Sequence, residues 1–375
     1  MNRTRKLAII GGSYLQLPAV LTAQDAGFEV HCFAWADGAV CKDVANYFYP
    51  ISIREKDDIL EVCRKVGIDG VFTIASDLAV PTVNYIAEKL GLPGNEYAWS
   101  AAMTNKYLMR EAFLKADIPS PRFFKVKAGD TLPVIDGRTV IVKPTDRSGS
   151  RGVEKVTAAD ELEKAVGFAI GQSLEGCAII EDFIEGREIS VESISFEGKH
   201  HVLQITDKVT TGEPYFIELA HHQPSNLPEE IQQKVCMLVP KVLDALHIRI
   251  GASHTEIKIT PSGELMVVET GARMGGDFIG SHLVRLSTGY DFLKATVMAA
   301  TGVFEAPQIT ASAYSGVYFL SKENEHLKQY FLHPEMVPET VESEITSPTL
   351  KEIRSSADRS GYLIYRSETG RLELK

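Results

Sequence analysis

No apolar run in the sequence reaches the length that spans a bilayer, so a membrane partner is not expected. The basic start, Met1 to Lys6, precedes only a short apolar run, Leu7–Gly12, with no small-residue cleavage site behind it. It reads as a first strand and not as a secretory leader. Cysteine is sparse: Cys32, Cys41, Cys63, Cys177 and Cys236 stand apart, without C-x-x-C or other metal spacing. Buried free thiols in a reducing compartment, the cytoplasm, are the expectation. Positive charge is also short. With 39 Lys and Arg against 50 Asp and Glu, the formal charge is -11. That balance disfavours nucleic acid, whose phosphates need a basic footprint, but not ATP, for which local cations and bound metal decide. A dinucleotide fingerprint is missing too. Gly11-Gly12 lacks the G-x-G-x-x-G spacing, and the second strand carries His31, Cys32 and Phe33 with no acidic residue at its end.

What is present is an ordinary globular balance, 44% hydrophobic and 24% charged, over 375 residues, enough for two or three domains. The first hundred residues alternate strand and helix. Leu7–Ile10, Glu29–Ala34 and Gly70–Ile74 read as strands; the stretch to Ala26, Ile59–Val66 and Val80–Leu90 read as helices, the last closed by Gly91. This implies an α/β unit with a parallel sheet. After Tyr97 the pattern changes. Thr104–Lys115 is amphipathic, and Val140–Lys143 is a strand leading into a polar loop and back through Val153–Val156. Thr157 with Asp160 offers a capping-box helix start. Strands follow at 178–181, 188–195, 201–209 and 215–219, then a long helix after Pro228 to about Leu246. Ala252–Ile259 and Glu264–Glu269 form a hairpin through Thr260-Pro261-Ser262-Gly263. From Ala311 a strand-rich tail makes a smaller lobe.

Three segments carry chemistry. Lys143 ends a strand before Ser148, Gly149, Ser150 and Gly152, a loop whose small residues let backbone N–H groups approach phosphate. It is not a Walker loop, because the lysine precedes the glycines, and such a loop taken alone is usually an ordinary hairpin. Glu181, Asp182, Phe183 and Ile184 end another strand before a turn at Gly186 and a further acid, Glu188. Solvated hairpin charges account for that, or an adenine against the backbone at 182–184 with a ribose on Glu188. The third segment is the most informative. His254, Glu256 and Lys258 alternate on one strand face, and the next strand ends in Glu269. Converging carboxylates with room for phosphates suit Mg2+. Arg273, Gly275 and Gly276 follow at once, beyond an apolar strand end.

Taken in order, these segments resemble the ATP-grasp superfamily, and within it L-amino-acid ligases and related carboxylate-amine ligases. The resemblance runs from about Leu7 to the C-terminus and is densest between Asn105 and Gly276. It implies an N-terminal Rossmann-like domain (1–100), an ATP-grasp domain (101–310) with a glycine-rich lid at about 122–186, and a β-rich C-terminal lobe (311–375). It further implies that Lys106 and Lys143 contact ATP phosphate, that Ser148–Gly152 form the lid, and that Glu181–Ile184 flank adenine with Glu188 on ribose. Glu256 and Glu269 match the paired Mg2+ ligands, with Mn2+ as a substitute, and Arg273 the phosphate arginine. At Gly271 the sequence departs from many relatives, which carry asparagine there as a further metal ligand. The metal shell is then expected to use Glu256, Glu269, water and ATP oxygens.

The implied activity is amide or peptide bond formation from small-molecule carboxylate and amine substrates through an acyl phosphate, in a chain compatible with a homodimer. Arg273 and the amides near Gly275 and Gly276 are the expected oxyanion donors, and His222, after a strand, is a candidate for the acceptor pocket. Asp77, at the end of a parallel strand, reads as an N-cap. A bicarbonate-using carboxylase or carbamoyl-phosphate-type enzyme, a purine-pathway ligase (for which no dedicated basic cluster is seen) and a non-catalytic ATP-binding regulator are the competing readings.

Overall fold

The computed structural model describes residues 3–135, 137–213 and 216–375. Strands β1 (Lys6–Ile10), β2 (Glu29–Phe33), β3 (Tyr47–Tyr49) and β4 (Gly70–Phe72) pair in parallel in the order β3-β2-β1-β4. Apart from Lys6, Glu29, His31 and the partly exposed edge strand β3, their residues are buried and lack charge, because both faces of the sheet are covered. Leu7, Ile9 and Val30 pack on helix α1 (Leu17–Asp25), while Ala8, Ile10 and Val71 pack on α2 (Lys56–Val66) and α3 (Val80–Leu90). Helix α4 (Lys106–Lys115) begins the next unit. Asn105 caps it, its side-chain oxygen accepting from the N–H groups of Tyr107 and Leu108, which fixes Lys106 at the helix start.

A second sheet holds β5 (Phe123–Lys127), β6 (Val140–Pro144), β7 (Glu154–Val156) and β8 (Cys177–Asp182), antiparallel in the order β5-β8-β6-β7, with α5 (Leu162–Gln172) against it. The expected capping box at Thr157 and Asp160 does not form. The chain enters α5 through a 3-10 turn, Ala159–Glu161, without a side-chain cap. Asp160, Glu161 and Glu163 instead place negative charge at the helix's positive end.

The third sheet positions the site. Its strands are β9 (Arg187–Phe196), β10 (Lys199–Thr210), β11 (Glu218–Gln223), β12 (Gly251–Ile259), β13 (Leu265–Gly271), β14 (Tyr314–Leu320), β15 (Thr340–Ile345) and β16 (Gly361–Ser367). They run β13-β12-β9-β10-β11-β14-β16-β15. Helix α6 (Glu229–Ala245) packs Val235, Val239 and Val242 against Ile189, Val191, Ile257 and Val267 on one face, leaving the other face of β9 and β12 for polar residues. Strand β11 begins later than expected and runs past Leu219 to Gln223, so that it includes both His221 and His222; Tyr215, the expected first residue, lies outside the described residues. The β-rich C-terminal lobe continues this same sheet through the β11–β14 pairing. All five cysteines are free, and four are buried, but Cys236 is exposed on α6, against expectation. Among the described residues no helix is long and apolar enough to cross a membrane.

Candidate active site

The hairpin of β12 and β13 starts in simple register, with Ile259 opposite Leu265 and Ile257 opposite Val267. Continued unchanged, that register would set Glu256 against Val268 and turn Glu269 to the other face. A bulge intervenes, and Glu256 stands opposite Glu269. The carbonyl of the extra residue, Val268, accepts a hydrogen bond at 2.5 Å from Nη2 of Arg110, a fully buried arginine of α4. Arg110 thus ties down the irregularity that brings the two carboxylates together.

Each carboxylate faces a lysine. Lys106 Nζ donates to Glu269 Oε1 at 2.8 Å and to the carbonyl of Arg147 at 2.7 Å. Lys208 Nζ, on β10, lies 2.8 Å from Glu256, 2.6 Å from Glu188 and 3.4 Å from Glu218. Burial would lower the Lys208 pKa, but the three carboxylates outweigh it and hold it well above the usual lysine range. Burial likewise pushes Glu256 up, and Lys208 and His254 hold it well below the usual carboxylate range. His254 is hydrogen-bonded through Nδ1 to the buried Glu192. Burial pulls its pKa down, yet the Glu192 charge and hydrogen bond, with Glu256, raise it to about 9, so the ring is cationic at neutral pH.

Lys143 ends β6 with its Nζ 2.6 Å from Glu181 Oε2, while Arg110 Nε lies 2.7 Å from Glu181 Oε1. Burial, with the neighbouring Arg110 and Lys106, pulls Lys143 below the usual lysine range against Glu181 and Glu269. Glu181 is therefore the counter-ion of this lysine, buried at 3% exposure. The next side chain, Asp182, pairs with Arg122 and Arg138 at 3.1 and 2.9 Å. Its N–H donates to Arg122 O, and that of Phe183 to Thr139 O. Of the expected adenine-facing amides, Ile184 N–H is the one without a protein acceptor among the described residues. Ser148, Gly149 and Ser150 are exposed, and Gly149, Ser150 and Gly152 all take positive φ.

The loop after β13 departs from expectation twice. Asp77 caps no helix; its carboxylate grips Arg273, with Nε donating to Oδ1 at 2.8 Å and Nη2 to Oδ2 at 2.9 Å. Gly275 is not an available oxyanion donor, because its N–H is bonded to Glu192 Oε2 at 3.0 Å. A Cβ at Gly275 would lie 2.6 Å from Glu192 Oε1 and 2.7 Å from His254 Nδ1, so only glycine fits. Gly276 N–H has no protein acceptor among the described residues.

His222 is the plainest correction. It is 2% exposed, its Nδ1 is 2.8 Å from Tyr365 Oη, and its ring packs on Tyr318, away from the face that carries Lys208. Burial and the positive charge of Arg371 push its pKa down to about 2, so it is a neutral core histidine. Its neighbour His221 takes the site face instead, paired across the ladder with Lys208. His221 Nε2 is 3.6 Å from Asp277 Oδ2, which also receives Arg359 Nη2 at 2.8 Å. Sequence reasoning missed Lys208, His221, Asp277 and Arg359. A lone lysine beside Asp207 gives no sign of facing inward, and Arg359 joins the site only through the pairing of β14 with β16.

Residues 137–281 match a family described as the ATP-grasp domain. That segment is an ATP-grasp domain. Among curated relatives, alanine–anticapsin ligase of Bacillus subtilis (strain 168) is 28% identical over 303 residues, 70% of this chain and 64% of that protein. The chain thus spans just under two thirds of that relative's length. A D-alanine–D-alanine ligase of Geobacter sulfurreducens is 26% identical over 63% of this chain and 74% of its own length. The ATP-grasp fold is shared with the crystal structure of an L-amino acid ligase from Bacillus licheniformis, at a TM-score of 0.81 and 23% identity over 98% of this chain and 95% of that one. It is also shared with phosphoribosylglycinamide synthetase from Anaerococcus prevotii, at 0.73 and 19% over 98% and 95%.

Proposed function

We propose that the protein is a Mg-ATP-dependent ligase that joins a small-molecule carboxylate to an amine, on amino acids, through an acyl phosphate. The observation that carries the reading is the bulged register that sets Glu256 opposite Glu269, with Lys106 and Lys143 converging on the same cleft. The relatives named as amino-acid ligases support it.

The donor set fits Mg2+: two hard carboxylates, no thiol, and an imidazole that is cationic and bonded elsewhere. Among the described residues no three His, Cys, Asp or Glu are grouped for a metal, so the remaining positions fall to phosphate and water. Held by Glu256 and Glu269, Mg2+ would screen charge between the nucleotide phosphates and an incoming carboxylate. In this reading Lys106 and Lys143 hold the transferred phosphoryl group in line, under the Ser148–Gly152 amides. The substrate carboxylate oxygen attacks the terminal phosphorus and ADP leaves. The amine then attacks the acyl carbon and phosphate departs, with Arg273 and the Gly276 N–H facing the oxyanion. Glu218, His221, Asp277 and Arg359 form the neighbouring wall, charged of both signs as a zwitterionic amino acid requires.

The test is phosphate release from Mg-ATP over a panel of L-amino acids, singly and in pairs. Stimulation by particular amino acids is expected. Stimulation by bicarbonate alone would replace this reading with a carboxylase, and binding of ATP without any stimulation would replace it with a regulator.

A further inference from the structure

We infer that Asp77, on the N-terminal sheet, is a positioning residue that aims Arg273 into the site, and that position 271 must lack a side chain for this contact to exist. The inference rests on the reading of Arg273 as an oxyanion-binding group.

The N-terminal unit grips the loop that carries Arg273. Ile74 forms a parallel bridge with Met274, Ala75 N–H donates to Met274 O at 3.1 Å, and Met274 is fully buried in the core beneath β1. Asp77 follows three residues after Ile74 and reaches the guanidinium side-on, occupying Nε and Nη2. Met274 O accepts from Nη1 at 3.3 Å. A guanidinium has five N–H donors in a rigid plane. With the Nε/Nη2 edge taken by Asp77 and one Nη1 proton taken by Met274 O, the edge left to a ligand is the one between Nη1 and Nη2. Two parallel N–H groups on that edge match two oxygens of a phosphate or carboxylate. Asp77 thus decides which edge of Arg273 meets the oxyanion.

Gly271 completes the arrangement. A Cβ there would lie 2.7 Å from Asp77 Oδ1 and 3.1 Å from the central carbon of the Arg273 guanidinium. Even alanine at 271 must displace the carboxylate or the arginine. Glycine at 271 and the Asp77–Arg273 fork are therefore one device: any side chain in that place, a metal-binding one included, is excluded by the contact.

The experiment compares the full chain with its Asp77→Asn, Gly271→Ala and doubly substituted forms. Calorimetry measures the affinity of the Mg-ADP-loaded protein for inorganic phosphate, and kcat and KM are read from amino-acid-stimulated phosphate release. A misaimed arginine is expected to lower kcat on the order of 10²-fold and to weaken phosphate binding about tenfold, with Mg-ADP affinity unchanged. Because both substitutions break one contact, the double form should be no worse than the worse single one. Gly271→Ala removes no charge, so it reports on the contact even if Asp77→Asn fails to fold. Unchanged kcat and phosphate affinity in Gly271→Ala, or effects that multiply in the double form, would overturn the inference. If the unaltered protein shows no stimulated turnover, the ligase reading fails, and phosphate affinity alone then decides the role of Asp77.

Discussion

Glu256 and Glu269 stand opposite each other only because Val268 is bulged out between them, and the carbonyl of that residue is held by the buried Arg110. The same guanidinium faces Glu181, the counter-ion of Lys143. One arginine therefore links the carboxylate pair to the buried Lys143. Arg110→Met should leave Glu181 with a single cation and release the bulge. Losing one partner of a buried ionic cluster costs about 3–5 kcal/mol, which urea denaturation would register as a lower midpoint. A change under about 1 kcal/mol, the scale of an exposed pair, would mean that the cluster is not structural.

Glu269→Gln tests the carboxylate pair itself. Glu269 is 23% exposed and its lysine partner keeps its hydrogen bond to Arg147 O, so folding should persist. In the proposed reaction turnover should fall by at least about 10²-fold, since charge screening by a metal held there would contribute several kcal/mol to the transition state. Stimulated phosphate release, read beside a thermal melt, would separate loss of chemistry from loss of fold.

His254 makes stability depend on alkaline pH. Its folded pKa, about 9, exceeds the unfolded value near 6.5. Such a group stabilises the fold fully below about pH 6.5, and that contribution is lost as pH rises through 9. Metal-free protein should lose up to ~3 kcal/mol between pH 7 and pH 10 from this residue. The His254→Gln form should show a flatter profile over that window in chemical denaturation.

His222 acts in the opposite sense. Its folded pKa, pushed down to about 2 by burial, lies below the unfolded value, so the unfolded chain takes up the proton first. Stability from the neutral ring is present above about pH 6.5 and drains away as pH falls below it. His222→Phe should reduce that acid sensitivity while leaving phosphate release near its original rate; a collapse of turnover with the fold intact would restore a catalytic role.

Much of this was legible in the sequence because local signals agreed. Val80–Leu90 has a proline at its start and a glycine past its end, and the helix α3 has those bounds. The turn Thr260–Gly263 made the β12–β13 hairpin plain. What escaped depended on long-range placement. The bulge at Val268 cannot be read from alternation, yet it sets the face of Glu269. His221 and His222 are adjacent, and nothing local shows which of them faces the site. Asp77 meets Arg273 across 196 positions of chain, and the capping role assigned to it is the one that local sequence alone supports.

The most direct measurement follows the oxygen atoms. An amino acid that stimulates turnover is supplied with its carboxylate labelled with heavy oxygen, and the phosphate released from Mg-ATP is analysed by mass. An acyl phosphate requires one labelled oxygen to pass from the carboxylate to the released phosphate. Phosphate without label, with both heavy oxygens retained in the amino-acid product, would contradict carboxylate activation in this site.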